Sequence, residues 1–264
     1  MENLLQVILL GIIEGITEFL PISSTGHLLI AQHWLGARSE LFTVAIQAGA
    51  ILAVIAIYWQ RLWQLTLNLS QPANRNYLFK LLTAFIITVI LGFAAKAMGL
   101  ELPENLAPIA WAMVIGGAAI FLIEAYTERQ PKSDELTWRV AHWVGIAQVV
   151  AGVFPGTSRS AATLFAAMLA GMTSRPAAAE FSFLLAIPTM FAATAYEVLN
   201  LYRHDRIAQE NWTDLAVGFV VSAVVAFIAV KWLLTYIQTH RFSVFAWYRI
   251  IAGGALLILA ARGL

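Results

Sequence analysis

Two polar, proline-broken turns set in apolar surroundings constrain this chain more than any other feature. The first runs through Glu14, Glu18, Pro21, Ser23, Ser24, Thr25, Gly26 and His27. The second, Pro155, Gly156, Thr157, Ser158, Arg159 and Ser160, begins 134 positions after Pro21. The echo continues beyond them: Gly116-Gly117-Ala118 matches Gly253-Gly254-Ala255 at a spacing of 137, and Lys96 matches Lys231 at 135. A duplicated unit with paired interrupted helices predicts a binding site near the bilayer midplane, where the copies meet.

The membrane follows from composition. With 60% hydrophobic residues, 12% charged and a mean hydropathy of +0.76, the 264 residues lack the polar surface a soluble globule needs. A net charge of +1 gives no sign of nucleic-acid binding. The absence of cysteine removes disulfides and thiolate chemistry, so any metal must bind through oxygen or imidazole. The apolar stretch Leu4 to Ile13 follows Glu2 and leads directly into Glu14 and Glu18, unlike a cleaved signal.

Six stretches match the roughly 17 to 25 residues that span a hydrocarbon core: 41–59, 78–98, 108–126, 177–199, 215–237 and 244–261. The segments 3–35 and 138–172 differ, each being two short apolar half-helices split by Pro21 or by Pro155-Gly156. They read as re-entrant hairpins, because non-helical backbone at membrane depth must face protein or a watery cavity. The expectation is therefore a single all-α integral membrane domain of six transmembrane helices plus two re-entrant hairpins. Repeat one covers 1–126 and repeat two 138–264.

One hairpin plus three spans is an odd number of crossings, so the repeats are expected to be inverted. One side then receives Arg61, Arg75, Lys80, Arg129, Lys132, Arg139, Arg175 and Arg241, and the other Arg38, Arg203, Arg206 and Arg262. The first side reads as cytoplasmic, which puts both termini outside. Lys96, Lys231 and Arg249 lie near predicted span ends and stay outside this count, and the acidic loop with Glu101 and Glu104 weighs little.

Glu14 and Glu18 are four apart and share one helix face. A charge at membrane depth costs about 2.5 to 3.5 kcal/mol on insertion scales, so the pair calls for a cation, and a hard Mg²⁺ or Ca²⁺ shared with an anionic substrate would suit. A helix end in water is the plainer alternative. Ser23, Ser24 or Thr25 can cap the half-helix that follows, aiming N–H groups and a positive dipole end at an anion. His27, three residues past Ser24, is placed to exchange a proton with its hydroxyl or with a leaving oxygen. Arg159, between Ser158 and Ser160 and followed by Thr163, offers a planar fork to phosphate. Alternatively it forms a structural ion pair with Glu14 or Glu18.

The strings EGITEFLPISSTGH at 14–27, PGTSRSAAT at 155–163 and AAEFSFLLAIP at 178–188 resemble the bacterial undecaprenyl-diphosphate phosphatase family, also known as bacitracin-resistance proteins. The similarity covers essentially the whole chain. It implies hydrolysis of undecaprenyl diphosphate to the monophosphate and inorganic phosphate, recycling a lipid carrier for cell-wall synthesis; the expected place is the bacterial inner membrane, with the site opening to the outer face. It also implies Glu14 and Glu18 as the acidic pair, which the spacing argument makes the expected metal ligands, Ser24 and His27 as the catalytic serine and histidine, and Arg159 as the phosphate grip. Ser23, Thr25, Gly26, Ser158, Ser160 and Thr163 would surround the substrate. Ala161 departs from the glycine expected after Ser160.

Joining both lines, Ser24 is the expected nucleophile with His27 assisting, and direct attack by His27 stays open. An inverted-repeat carrier or flippase for polyprenyl phosphate is the competing class, since broken helices also build transporters. Gln47, Glu180 and Ser182 are candidate supporting residues; the other histidines read as incidental and the tryptophans as interfacial anchors. The paired glycines permit close packing within or between chains, which leaves a homodimer open.

Overall fold

The computed structural model describes residues 2–100, 106–204 and 210–262. Arg206, Glu101 and Glu104 lie outside them. Eleven helices are described: α1 (Glu2–Thr17), α2 (Ser24–Leu35), α3 (Glu40–Ile57), α4 (Trp59–Leu67), α5 (Pro72–Ala97), α6 (Leu106–Thr127), α7 (Trp138–Val153), α8 (Arg159–Leu169), α9 (Arg175–Arg203), α10 (Trp212–Thr239) and α11 (Ser243–Ala261). No strand occurs among the described residues.

Six of these, α3, α5, α6, α9, α10 and α11, are long and apolar enough to cross a membrane. The chain is an all-α protein with six candidate spans. The other apolar segments are too short: at 1.5 Å per residue α1 and α7 reach about 24 Å and α8 about 16 Å, against a core of about 30 Å. Starts are set by local chemistry. Ser39 accepts from the Phe42 N–H at 3.1 Å, Thr137 from Val140 at 3.2 Å and Asn211 from Thr213 at 3.1 Å, each a side-chain N-cap.

Two boundaries differ from the sequence expectation. α5 begins at Pro72 rather than 78, because proline suits the first helical position and a polar turn containing Asn74, Arg75 and Asn76 precedes the apolar run. The stretch after the first span is a separate helix, α4, which exposes Trp59, Trp63 and Leu67 while burying Leu65. Nine residues with that pattern fit a membrane interface.

Packing brings the two interrupted segments together. α10 lies against α1 and α3, α5 against α7, α6 against α11, and α3 against α9. Phe19, Leu20 and Ile22 of the first break share one buried cluster with Ala161, Leu164 and Phe165 of α8. Phe19 meets Phe183 of α9 edge-on, ring centroids 5.2 Å apart. Outward, α5 shows Phe79, Leu82, Ile86, Ile90 and Phe93, an apolar stripe that lipid would cover. One glycine of each pair serves packing inside the chain, while a Cβ on Gly254 would meet nothing within 4 Å among the described residues. A Cβ on Gly117 would meet the Ala246 carbonyl at 2.8 Å and one on Gly253 the Ala110 carbonyl at 2.8 Å, so α6 and α11 approach backbone to backbone.

Candidate active site

Each break ends in a serine with positive φ. Ser23 has φ 77° and Ser158 φ 69°, the only non-glycine residues in that region among those described. Such backbone is uncommon for a residue with a Cβ and is held only where surroundings over-determine it. Both serines make the same cap: Ser23 Oγ accepts from Gly26 N–H and Ser158 Oγ from Ala161 N–H, each at 3.3 Å. The free N–H groups and positive dipole ends of α2 and α8 are thereby aimed out of the breaks.

The breaks are stitched to each other. Ser160 Oγ donates to the Leu20 carbonyl at 2.9 Å, and Ser158 and Ser160 hydroxyls lie 3.0 Å apart. Arg159 forms an ion pair with Glu18 Oε1, and Ser24 Oγ donates to Glu18 Oε2 at 2.5 Å. Glu18, nine-tenths or more buried, thus joins the serine of the first turn to the arginine of the second. Glu14 lies one turn earlier, the helical bond Glu18 N–H to Glu14 carbonyl measuring 2.9 Å. Its carboxylate is fully buried, and among the described residues neither oxygen has a hydrogen-bond partner.

His27 does not bond Ser24. Its Nδ1 lies 2.6 Å from the Ser23 carbonyl and its Nε2 2.5 Å from the Tyr248 hydroxyl. A carbonyl only accepts, so Nδ1 carries the hydrogen and Nε2 is the basic nitrogen, to which Tyr248 donates. Three-residue spacing on a helix brought the two side chains to one turn, but the hydroxyl finds its partner across the break in Glu18.

The remaining predicted residues divide. Thr163 Oγ1 donates to the Arg159 carbonyl at 2.8 Å, within its own helix. Gly26 leaves room for Ile109, whose Cγ2 a Cβ would meet at 3.2 Å. Thr25 is exposed and makes no hydrogen bond among the described residues. Ala161 lies in the first turn of α8 with ordinary helical backbone, so no glycine is required there. Ser182, buried and unpartnered, lines a cavity of about 10 Å³ with Glu18, Arg159, Ser160 and Thr163, room for about one water. Glu180 lies elsewhere, paired with Arg61 at 3.0 Å on a cavity lined also by Tyr58 and Asp134. Gln47 makes no hydrogen bond among the described residues.

Sequence reasoning missed two neighbours, both on α11. Tyr248 is one. The other is Arg249, fully buried, whose five N–H groups all reach backbone carbonyls. Nε donates to Met113 (3.3 Å), Nη1 to Pro21 (3.2 Å) and Thr157 (3.0 Å), and Nη2 to Ala112 (3.0 Å) and Gly156 (2.9 Å). The available signal was a lone arginine six residues into an apolar helix, with glycine at 116 to let it pass.

A family model described as bacitracin resistance protein BacA matches residues 7–255. The chain is 60% identical over 256 residues to the undecaprenyl-diphosphatase of Rhizobium johnstonii, covering 97% of each chain. It is 54% identical over 258 residues to that of Xanthomonas euvesicatoria pv. vesicatoria, covering 98% of this chain and 97% of the relative.

Proposed function

The chain belongs to the bacitracin resistance protein BacA family, and on that premise we propose that it is a multi-pass membrane enzyme hydrolysing undecaprenyl diphosphate to undecaprenyl phosphate and inorganic phosphate. The observation that carries the mechanism is the bonded series Ser24, Glu18, Arg159, which joins a hydroxyl, a proton acceptor and a phosphate fork across the two breaks.

Ser24 Oγ attacks the terminal phosphorus and passes its proton to Glu18 as the bond to the bridging oxygen breaks, releasing undecaprenyl phosphate. Once protonated, Glu18 no longer holds Arg159 by charge, and the guanidinium turns to the phosphoryl oxygens. In the second step water attacks the phosphoserine, giving a proton to His27 Nε2, while Glu18 returns its proton to Ser24 Oγ. For that transfer the Tyr248 hydroxyl, which donates to Nε2 in the resting site, turns away to admit the water, while the Ser23 carbonyl keeps the imidazole oriented through Nδ1–H. The N-termini of α2 and α8 add partial positive charge where the transferring group is most negative.

The donor chemistry fits a hard divalent cation. Among the described residues both oxygens of buried Glu14 lack a hydrogen-bond partner and Glu18 is one turn away, two oxygen donors of the kind a hard cation takes, although no group of three or more His, Cys, Asp and Glu is present there. Held by Glu14, and by Glu18 while that carboxylate is ionised, Mg²⁺ or Ca²⁺ would neutralise phosphoryl charge. Purified protein should release phosphate from undecaprenyl diphosphate, lose that activity in excess chelator and regain it with either ion; full activity in chelator removes the metal from the reaction.

The two halves are proposed to be inverted repeats. The matched serine caps support this, as does the pairing of α1 with α10 answered by α7 with α5. With the basic side inward, both termini and the mouth of the site would face outward. The carrier alternative draws on architecture alone, whereas the relatives bear a hydrolase's name. A homodimer remains a proposal resting only on packing-competent surface.

A further inference from the structure

Arg249 presents an unusual balance. A guanidinium at this depth is costly, and its hydrogen-bond partners include no carboxylate. What it meets instead are carbonyls of the broken turns, Pro21, Gly156 and Thr157, which no continuing helix can satisfy and which lipid cannot solvate. The other two carbonyls, Ala112 and Met113, belong to α6. One planar group therefore ties both turns to a membrane-spanning helix. It leaves its positive charge behind the two helix N-termini at which an anion would dock.

Space has been made for it. A Cβ at Gly116 would collide with Nη2 and lie 2.7 Å from Cζ, and the three atoms nearest that position all belong to Arg249. At Gly156, φ is 90° and a Cβ would meet the Ile109 carbonyl at 2.5 Å, so the carbonyl presented to Nη2 depends on glycine there. The formal charges of the side chains agree with this: Glu14 and Glu18 against Arg159 leave one negative in excess, which Arg249 offsets, before any cation that the two glutamates would hold.

We propose that Arg249 is a positioning residue for the reaction: through its five carbonyl bonds it sets the spacing of the Ser23 and Ser158 turns, and its charge makes the site between them receptive to diphosphate. It touches no reacting atom. This rests on the phosphatase reading above and assigns a role to a residue outside both polar turns.

Three variants separate charge from geometry. Arg249→Lys keeps the charge but cannot form the five-bond fork; Gly116→Ala keeps the arginine but pushes its fork aside; Arg249→Met removes the charge at similar bulk. For each, kcat on undecaprenyl diphosphate, affinity for inorganic diphosphate and melting temperature are measured in detergent. Arg249→Lys and Gly116→Ala should lose about tenfold or more in kcat per folded molecule while holding inorganic diphosphate within about threefold of wild type. Arg249→Met should lose about tenfold or more in that affinity as well. Wild-type kcat in Gly116→Ala, or wild-type diphosphate affinity in folded Arg249→Met, overturns the proposal, as does a fall in melting temperature with kcat per folded molecule unchanged. Should Arg249→Met fail to fold, Gly116→Ala decides. Should wild type itself release no phosphate, the phosphatase reading fails and the diphosphate affinities alone decide the role of Arg249.

Discussion

Both carboxylate oxygens of Glu18 are engaged, one by Ser24 and one by Arg159, so a change in either partner alters what the carboxylate can do for the other. A proton arriving from Ser24 is the event that would release Arg159 toward phosphate. Arg159→Lys keeps the charge and loses the planar fork, and its kcat/KM should fall at least about tenfold, or about 1.4 kcal/mol of transition-state binding. A wild-type value would make Arg159 a tie between the breaks and nothing more. Glu14, Glu18, Ser23, Ser24, His27, Ser158 and Arg159 were legible because polar residues in apolar helices stand out locally. Their partners were not. Glu18 lies six positions before Ser24 across a break, and Tyr248 lies 221 positions after His27, distances at which no periodicity speaks.

At the scale of elements, the interrupted helices depend on two serines doing opposed things at once, capping the next helix while accepting a backbone conformation that favours glycine. Ser158→Ala keeps the strained φ and loses the cap, and should cost about 1 kcal/mol of stability. Ser158→Gly also loses the cap but adopts φ 69° freely, so its melting temperature should stay nearer wild type. The reverse order would mean that the turn is unstrained, and a wild-type melting temperature in both would mean that the hydroxyl is dispensable. The six spans could be read from hydropathy because lipid imposes length and apolarity together. α4 escaped that reading because nine amphipathic residues between spans leave no such signature, and α5 exceeded it because its first turn lies beyond the apolar run.

For the whole molecule, the proposal that each broken segment enters the membrane without crossing it assigns every link between spans to one side. The chain has no cysteine, so single cysteines report topology cleanly. Introduced at exposed Ser70 or Lys132 they should react only from the cytoplasmic side, and at exposed Ala37 only from outside; the opposite pattern would invert the assignment and with it the face on which the site opens. Contacts between residues far apart in the sequence hold the halves in register, and these were invisible in the chain itself: Arg249 was set aside as lying near a span end, yet it reaches backbone 228 positions away. The account as a whole stands on hydrolysis at Ser24. Phosphate release from undecaprenyl diphosphate should therefore be measured for purified wild type and Ser24→Ala side by side, together with lipid binding. The expectation is robust release by wild type, a loss on the order of 10² or more in the variant, and binding retained. Equal release by both proteins, or transfer of labelled polyprenyl phosphate across liposomes with no phosphate released by wild type, would contradict it.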